Sequence, residues 1–209
     1  MTIPQIPKTT LIFATHNQHK VHEVQTFFKP YPVLIQQQAW KTYEIQSDDL
    51  QEIARLSVLD AVNTSQSPTF VEDTGFYIDA LNGFPGPYAS YVQKTIGNPG
   101  ILKLMQDHLN RKAHFKSIIA FCTPKTCPIC FEGTIQGTLA LKEKGSKGFG
   151  FDPIFIPSNG ESKTFGEMEI SEKNPISHRG RALTHFVNWL LGSFLYIDDH
   201  DGNAHRSYP

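Results

Sequence analysis

The order of strand-like and helix-like segments constrains the fold of this chain more than any other feature of its sequence. An apolar run at 10–14 (TLIFA) is followed by a polar loop and then by apolar residues at helical spacing: Val21, Val24, Phe27 and Phe28. A weaker strand pattern (VLIQQ), a second helical pattern (SDDLQEIARLSVLDAV) and a third strand pattern (TFVE) come next. Asp49, with Glu52 three residues later, predicts the start of that second helix.

The middle of the chain breaks this alternation. Two strand patterns, KSIIAFC and ICFEGTIQGTLAL, flank the turn TPKTCP and predict an antiparallel hairpin. Asn98 and Pro99 predict the cap and the first position of a helix over GILKLMQDHLN. A hairpin among helix-separated strands predicts an α/β fold with a mixed sheet. We expect residues 1–197 to form a single domain, followed by a disordered tail at 198–209.

Composition narrows the partners that the chain can have. The net charge of −1 gives no basic field for a polynucleotide or for an acidic membrane surface. The most lipophilic run, ALTHFVNWLLGSFLYI, contains His185 and Asn188 and is shorter than a membrane span. Three cysteines without a signal peptide indicate a reducing compartment, so we expect a cytoplasmic protein.

Two adjacent carboxylates, Glu72 and Asp73, follow the strand pattern in TFVEDTGFYI. Adjacent strand residues point to opposite faces, so both acids can serve one site only if the strand has already ended. We expect the strand to end here, which would place Asp73 where it could hold Mg²⁺ beside substrate phosphates or polarise a water. The alternative is a turn aspartate that accepts backbone N–H groups before Gly75.

The loop THNQHK lies between a strand and a helix, where unpaired N–H groups favour a phosphate. Thr15 can offer a hydroxyl, Asn17 an amide N–H and Lys20 a full charge. The alternative is that Thr15 or Asn17 only caps the helix and that Lys20 is a solvated surface lysine.

Two later segments concentrate groups suited to a flat polar ligand. In KGFGFDP, glycines around Phe149 allow a close backbone approach, the ring can stack, and Asp152 can accept hydrogen bonds from ring N–H groups. The alternative is a bulged strand with a core phenylalanine. In EKNPISHRGRA, the donors Lys173, His178 and Arg179 precede a helix, where ordinary helix-start polarity is the alternative.

Five segments together resemble the inosine triphosphate pyrophosphatase family, also called the Ham1-like or dITP/XTP pyrophosphatases. They stand in the family's order: FATHNQHKVHEV, YEIQSDD, VEDTGFYIDALNGFPGPYASYV, GFGFDPIFIP and FGEMEISEKNPISHRGRAL. The resemblance extends from about residue 10 to about residue 192. It implies a two-lobed α/β structure with a long central mixed sheet, a cleft between the lobes, and a homodimer.

The resemblance also implies an activity and its residues. The activity is Mg²⁺-dependent hydrolysis of non-standard purine nucleoside triphosphates (ITP, dITP and XTP) to a nucleoside monophosphate and pyrophosphate. Asp73 and Lys20 would be catalytic, and Asp73 and Glu44 would hold the metal, with Glu72 as a lesser partner or turned to the other face. Substrate contacts would come from Thr15, His16, Asn17, Lys20, Thr74, Phe149, Gly150, Phe151, Asp152, Lys173, His178 and Arg179. His16 stands where the family commonly has glycine.

Two other functions fit parts of the pattern. A Maf-like pyrophosphatase would cleave other modified nucleotides, but the segment SHRGRAL favours the purine assignment. A non-catalytic nucleotide sensor would keep the pocket, but it would need no group to activate water, and Asp73, Lys20 and Glu44 are all present.

Overall fold

A computed structural model describes residues 9–40 and 45–198, with side chains as far as residue 192. Glu44 and nearly all of the predicted tail, 199–209, lie outside the described residues. The first part of the chain alternates as predicted: β1 (Thr9–Ala14), α1 (Gln18–Phe28), β2 (Val33–Gln38), α2 (Leu50–Ser65) and β3 (Thr69–Ile78). Asp49 caps α2 by accepting a hydrogen bond from the Gln51 N–H.

The rest of the described chain completes the sheet and covers it. Its elements are β4 (Pro85–Gly86), α3 (Ala89–Thr95), α4 (Gly97–Leu104), β5 (Lys112–Cys122), β6 (Ile129–Leu139), β7 (Phe155–Pro157), α5 (Ile170–Lys173) and α6 (His178–Asp198). The strands lie in the order β2-β1-β3-β5-β6-β7, and β4 pairs with β3. The pairs β1–β2 and β1–β3 are parallel, and the other pairs are antiparallel. The predicted mixed sheet and the β5–β6 hairpin are therefore confirmed.

Two local predictions were wrong. β3 does not end at Asp73, because β5 pairs with all of it, from Thr69 opposite Cys122 to Ile78 opposite Ala113. Asn98 does not cap α4, which begins at Gly97 and ends at Leu104. The Asn98 amide instead donates to the carbonyl of Gly150, at 3.2 Å, so it serves a tertiary contact.

The long central strands carry apolar clusters on both faces of the sheet. On one face, Phe70 packs with α1 and α6, and Phe76 packs in a second cluster with α3 and α4. On the opposite face, Val71 packs against α2. Glu72 and Thr74 lie on the first face between the two clusters, so a polar segment separates two apolar cores.

A helix that crosses a bilayer needs about 20 predominantly apolar residues. Among the described residues, none of the helices is both long and apolar enough to cross a membrane.

Candidate active site

The sheet topology places a crevice beside the middle of β3. β1 pairs with β3 only as far as Phe13 opposite Phe70, and β4 begins to pair at Phe76. In the described ranges, no strand covers this edge of β3 between those two positions. The chain leaves β1 through α1 toward β2 and returns through α2 to β3, with the two helices on opposite faces. Ligands of open α/β sheets bind at such a reversal, outside the carboxyl ends of the strands.

The loop between β1 and α1 lies at this crevice. The Asn17 carboxamide oxygen accepts from the N–H groups of His19, at 3.0 Å, and Lys20, at 3.3 Å, so Asn17 caps α1. The Thr15 hydroxyl accepts from the Asn17 N–H at 3.2 Å. The capping alternative therefore describes Asn17, and Thr15 holds the residue that caps the helix. The cap leaves the Asn17 NH₂ group as a donor. His16, beside them, is exposed.

Lys20 is not a solvated surface lysine, so that alternative was wrong. Its side chain is only 17% exposed, and its ammonium lies 2.8 Å from the Glu72 carboxylate. The same ammonium donates to the main-chain carbonyl of Glu72 at 2.7 Å, on the edge of β3 that β1 leaves uncovered. Lys20 thus brings a positive charge to the crevice.

Lys20 is the first member of a buried chain of alternating charges, which we call the ion chain. Its five ion pairs are Lys20–Glu72 at 2.8 Å, Glu72–Arg179 at 3.2 Å, Arg179–Glu23, Glu23–Lys173 at 2.8 Å and Lys173–Asp152 at 2.6 Å. The members come from α1, β3, α5, α6 and the turn before β7. Three cations face three carboxylates, so the chain is balanced, and it connects the first turn of α1 to the glycine-rich segment.

The ion chain shifts the pKa values of its members. Burial alone would raise the pKa of Glu72, but the charges of Arg179 and Lys20 and the hydrogen bonds from Lys20 and Ser117 outweigh it and lower that pKa. Glu23 follows the same pattern, because Arg179 and Lys173 outweigh its burial. For Asp152 burial dominates over the attraction of Lys173 and raises the pKa. Glu72 and Glu23 are therefore carboxylates at neutral pH.

The two adjacent acids, Glu72 and Asp73, serve different faces of β3. Glu72 is buried and accepts hydrogen bonds from the hydroxyls of Thr74, at 2.5 Å, and Ser117. The pleat turns Asp73, which is half-exposed, toward the face of α2, where Val71 packs. Glu72 and Asp73 therefore lie on different faces of β3, and Glu72 is the acid on the face that holds Lys20 and Arg179.

Phe149 borders a cavity at the other end of the ion chain. Its ring stacks on His19 with centroids 5.0 Å apart, and Lys173 Nζ lies 5.1 Å from its centroid. Gly150 follows with a φ of +62°, a conformation that glycine adopts without strain. Asp152 accepts from the Phe149 N–H at 2.8 Å, which fixes the turn. Phe151, in contrast, is 3% exposed and stacks on a core ring, so the core-phenylalanine alternative applies to it.

His178 and Arg179 are buried at the start of α6, so ordinary helix-start polarity does not describe them. His178 stacks on Phe115 with centroids 4.5 Å apart, and burial, together with the charges of Arg179 and Lys173, lowers its pKa well below the usual value. His178 Nδ1 and Arg179 Nε have no hydrogen-bond partner within the described part of the chain. Buried polar atoms without partners are uncommon, and they are a reason to look for a ligand.

Sequence reasoning missed two members of this site, Glu23 and Ser117. Glu23 pairs with Lys173 across 150 positions of sequence, so no local pattern relates the two. One signal in the sequence could have indicated Glu23: it is an acid three residues after Lys20 and directly beside Val24, which is buried in α1. Ser117 interrupts an otherwise apolar face of β5, opposite Thr74.

Gly133 on β6 sets the position of the first turn of α6. A Cβ atom there would lie 2.1 Å from the His178 carbonyl oxygen and 2.4 Å from the Ala182 nitrogen. We expect Gly133→Ala to lower the free energy of unfolding by about 1–3 kcal/mol, as overpacking does, measured by urea denaturation. Gly192→Ala in α6 is the control, because nothing lies within 4 Å of its Cβ position. Equal stability of the two variants would contradict the close packing.

A comparison with family models decides the relationship of this chain to known proteins. The Ham1 family model matches residues 11–189. The chain belongs to the Ham1 family. Its Ham1 relatives include the dITP/XTP pyrophosphatase of Thermococcus kodakarensis, which is 48% identical over 180 residues, covering 86% of this chain and 96% of the relative. The dITP/XTP pyrophosphatase of Methanopyrus kandleri is 45% identical and covers 86% and 95%.

Solved Ham1 structures share the fold. The HAM1 protein of Coxiella burnetii superposes with a TM-score of 0.78 at 26% identity, covering 88% of this chain and 99% of that one. The resemblance and the fold class expected from the sequence are therefore confirmed.

Proposed function

We propose that this protein hydrolyses non-standard purine nucleoside triphosphates (dITP, XTP and ITP) to nucleoside monophosphates and pyrophosphate. Its named relatives are dITP/XTP pyrophosphatases, which supports this activity. The observation that carries the proposal is the ion chain, because it joins Lys20 at the crevice to Lys173 and Asp152 beside Phe149. One end is suited to phosphates and the other to a flat polar ring, as a nucleotide requires.

Base selection would rest on the two buried nitrogens without partners, Arg179 Nε and His178 Nδ1. A 6-oxo group can accept from Arg179 and from the tautomer of His178 that carries hydrogen on Nδ1. The amino group of adenine cannot accept there, and each buried donor left unpaired costs about 1–3 kcal/mol. The neutral state of His178 suits this role, since it can donate without adding a further buried charge.

The chemical step would be attack of water on the α-phosphorus, which breaks the bond to the bridging oxygen and releases pyrophosphate. Asp73 would accept the proton of that water, and Lys20 would offset charge on the phosphates. The resemblance to the Ham1 family assigns the metal to Asp73, whereas Glu72 is bound by Lys20 and Arg179. Together with Glu44, from outside the described residues, Asp73 would hold the metal. Bound Mg²⁺ would neutralise phosphate charge.

The deciding experiment measures turnover of ITP, XTP, ATP and GTP, with Mg²⁺ and with EDTA, and separates pyrophosphate from orthophosphate. We expect rapid metal-dependent release of pyrophosphate from ITP and XTP, with ATP nearly untouched. Tight ITP binding without turnover would instead indicate a nucleotide sensor. Orthophosphate as the direct product would mean attack at another phosphorus, and preference for other modified nucleotides would indicate the Maf-like activity.

We also propose a homodimer in the cytoplasm. The support for the dimer is an exposed aromatic surface near α3, where Tyr88 and Tyr91 stand three residues apart and are 41% and 70% exposed. Exposed apolar surface of this kind often marks an interface. The support for the compartment is that Cys122, Cys127 and Cys130 are all free thiols.

A further inference from the structure

His19 contacts the glycine-rich segment but has no role in the site described above. It lies in the first turn of α1, is exposed, and has its N–H held by Asn17. Its imidazole is nearly parallel to the ring of Phe149, with 15° between the planes and 5.0 Å between the centroids. The imidazole of His19 therefore occupies a stacking position on Phe149, the ring on which we propose that the base stacks.

The two stacked rings line a small cavity together with Glu23 and Lys173 of the ion chain. The cavity has a volume of about 230 Å³. Sites that enclose a whole drug-sized ligand measure about 300–1,000 Å³, so this one suits a base rather than a complete nucleotide. A purine that enters it to stack on Phe149 meets the imidazole at that ring.

We propose that His19 is a positioning residue. It holds Phe149 in the free enzyme, and the incoming purine displaces it from the Phe149 ring. This inference rests on the proposed function for one point only, that the ligand is a purine nucleotide. His19 can leave at low cost, because it is exposed and its helix is held by the Asn17 cap rather than by the imidazole. The main loss is the stack itself, and aromatic pairs of this kind change an affinity by about 2- to 12-fold.

Removing the imidazole should therefore help substrate to bind. We expect His19→Ala to lower the KM for ITP by about 2- to 12-fold, the full value of the stack, with kcat little changed. His19→Phe, which has a larger ring for Phe149, should raise KM. His22→Ala is the matched control, because His22 is exposed on the same helix and lines the same cavity without stacking on Phe149. A higher KM for His19→Ala would overturn the proposal, since His19 would then support the bound base.

An NMR experiment tests the displacement without turnover. The imidazole C–H signals of His19 should be shifted by the ring current of Phe149 in the free protein, and Phe149→Leu should remove that shift. Adding IMP should move the same signals toward their unstacked positions, and signals that stay in place would overturn the proposal. Because IMP affinity can be measured for His19→Ala by calorimetry, the result holds even if ITP is not hydrolysed and the proposed function fails.

Discussion

Replacing Asp73 by asparagine is expected to lower kcat for ITP by about 10²- to 10⁴-fold, the usual contribution of a general acid or base, with ITP affinity changed only a few-fold. Asparagine keeps the size of the side chain but cannot accept the proton of the attacking water. The neighbouring acid cannot replace it, because Glu72 lies on the opposite face of β3 and is bound by Lys20 and Arg179.

Single-turnover rates and calorimetric ITP titrations on the same preparation would separate the two effects. Asp79→Asn is the control, since Asp79 is exposed directly after the same strand. Loss of ITP binding as large as the loss of turnover would contradict a role in water activation, and it would assign Asp73 a structural role.

The elements that the sequence predicted well are those determined locally. The apolar stripe of α2 and its Asp49 cap lie within a few turns of helix, and the β5–β6 hairpin joins neighbouring strands. β3 shows the limit of such reasoning. The Asp-Thr-Gly sequence favours a turn, but ladder pairing with β5 along the whole strand overrides that preference. The continued strand is what separates Glu72 from Asp73.

The sequence singled out the three cations of the ion chain, but it did not indicate how they pair with carboxylates. Lys20, Lys173 and Arg179 all stand in segments whose polar residues are conspicuous in the sequence itself. The carboxylate that joins two of them, Glu23, sits in a helix that otherwise looks like an ordinary amphipathic one. Ion pairs between residues so distant in sequence depend on how α1 packs on α5 and α6, and no residue pattern within one segment records that packing.

Glu72→Gln is expected to lower the free energy of unfolding at pH 7 by about 3–5 kcal/mol, the cost of breaking a buried ion pair by removing one partner. The substitution leaves the half-buried Lys20 and the buried Arg179 without the carboxylate between them. Glu132→Gln is the matched control: its pair with Lys116, at 3.2 Å, has side chains 50% and 34% exposed. Such exposed pairs contribute about 0–1 kcal/mol.

The difference in unfolding free energy between wild type and Glu72→Gln depends on pH. This dependence separates the contribution of the Glu72 charge from that of its packing. The folded-state pKa of Glu72 lies below its ordinary value of 4.5, so the stability it contributes is complete above that pH. As the pH falls below 4.5, the unfolded carboxylate gains a proton before the folded one, and this stability is progressively lost. Urea denaturation between pH 7 and pH 3 should therefore show the difference between wild type and Glu72→Gln shrinking with acid. A constant difference would mean that shape and hydrogen bonding, rather than charge, cause the loss.

Removing Lys20 as well should recover part of the lost stability. Lys20 is the terminal member of the ion chain, so the double variant Lys20→Met/Glu72→Gln leaves Arg179, Glu23, Lys173 and Asp152 as two cations and two carboxylates. Each single variant leaves an odd charge, and the double variant restores the balance. A double-mutant cycle should give a coupling between the two sites of about 0.5–3 kcal/mol, the range for residues in contact. Additive losses would show that Glu72 stabilises the fold through Arg179 alone.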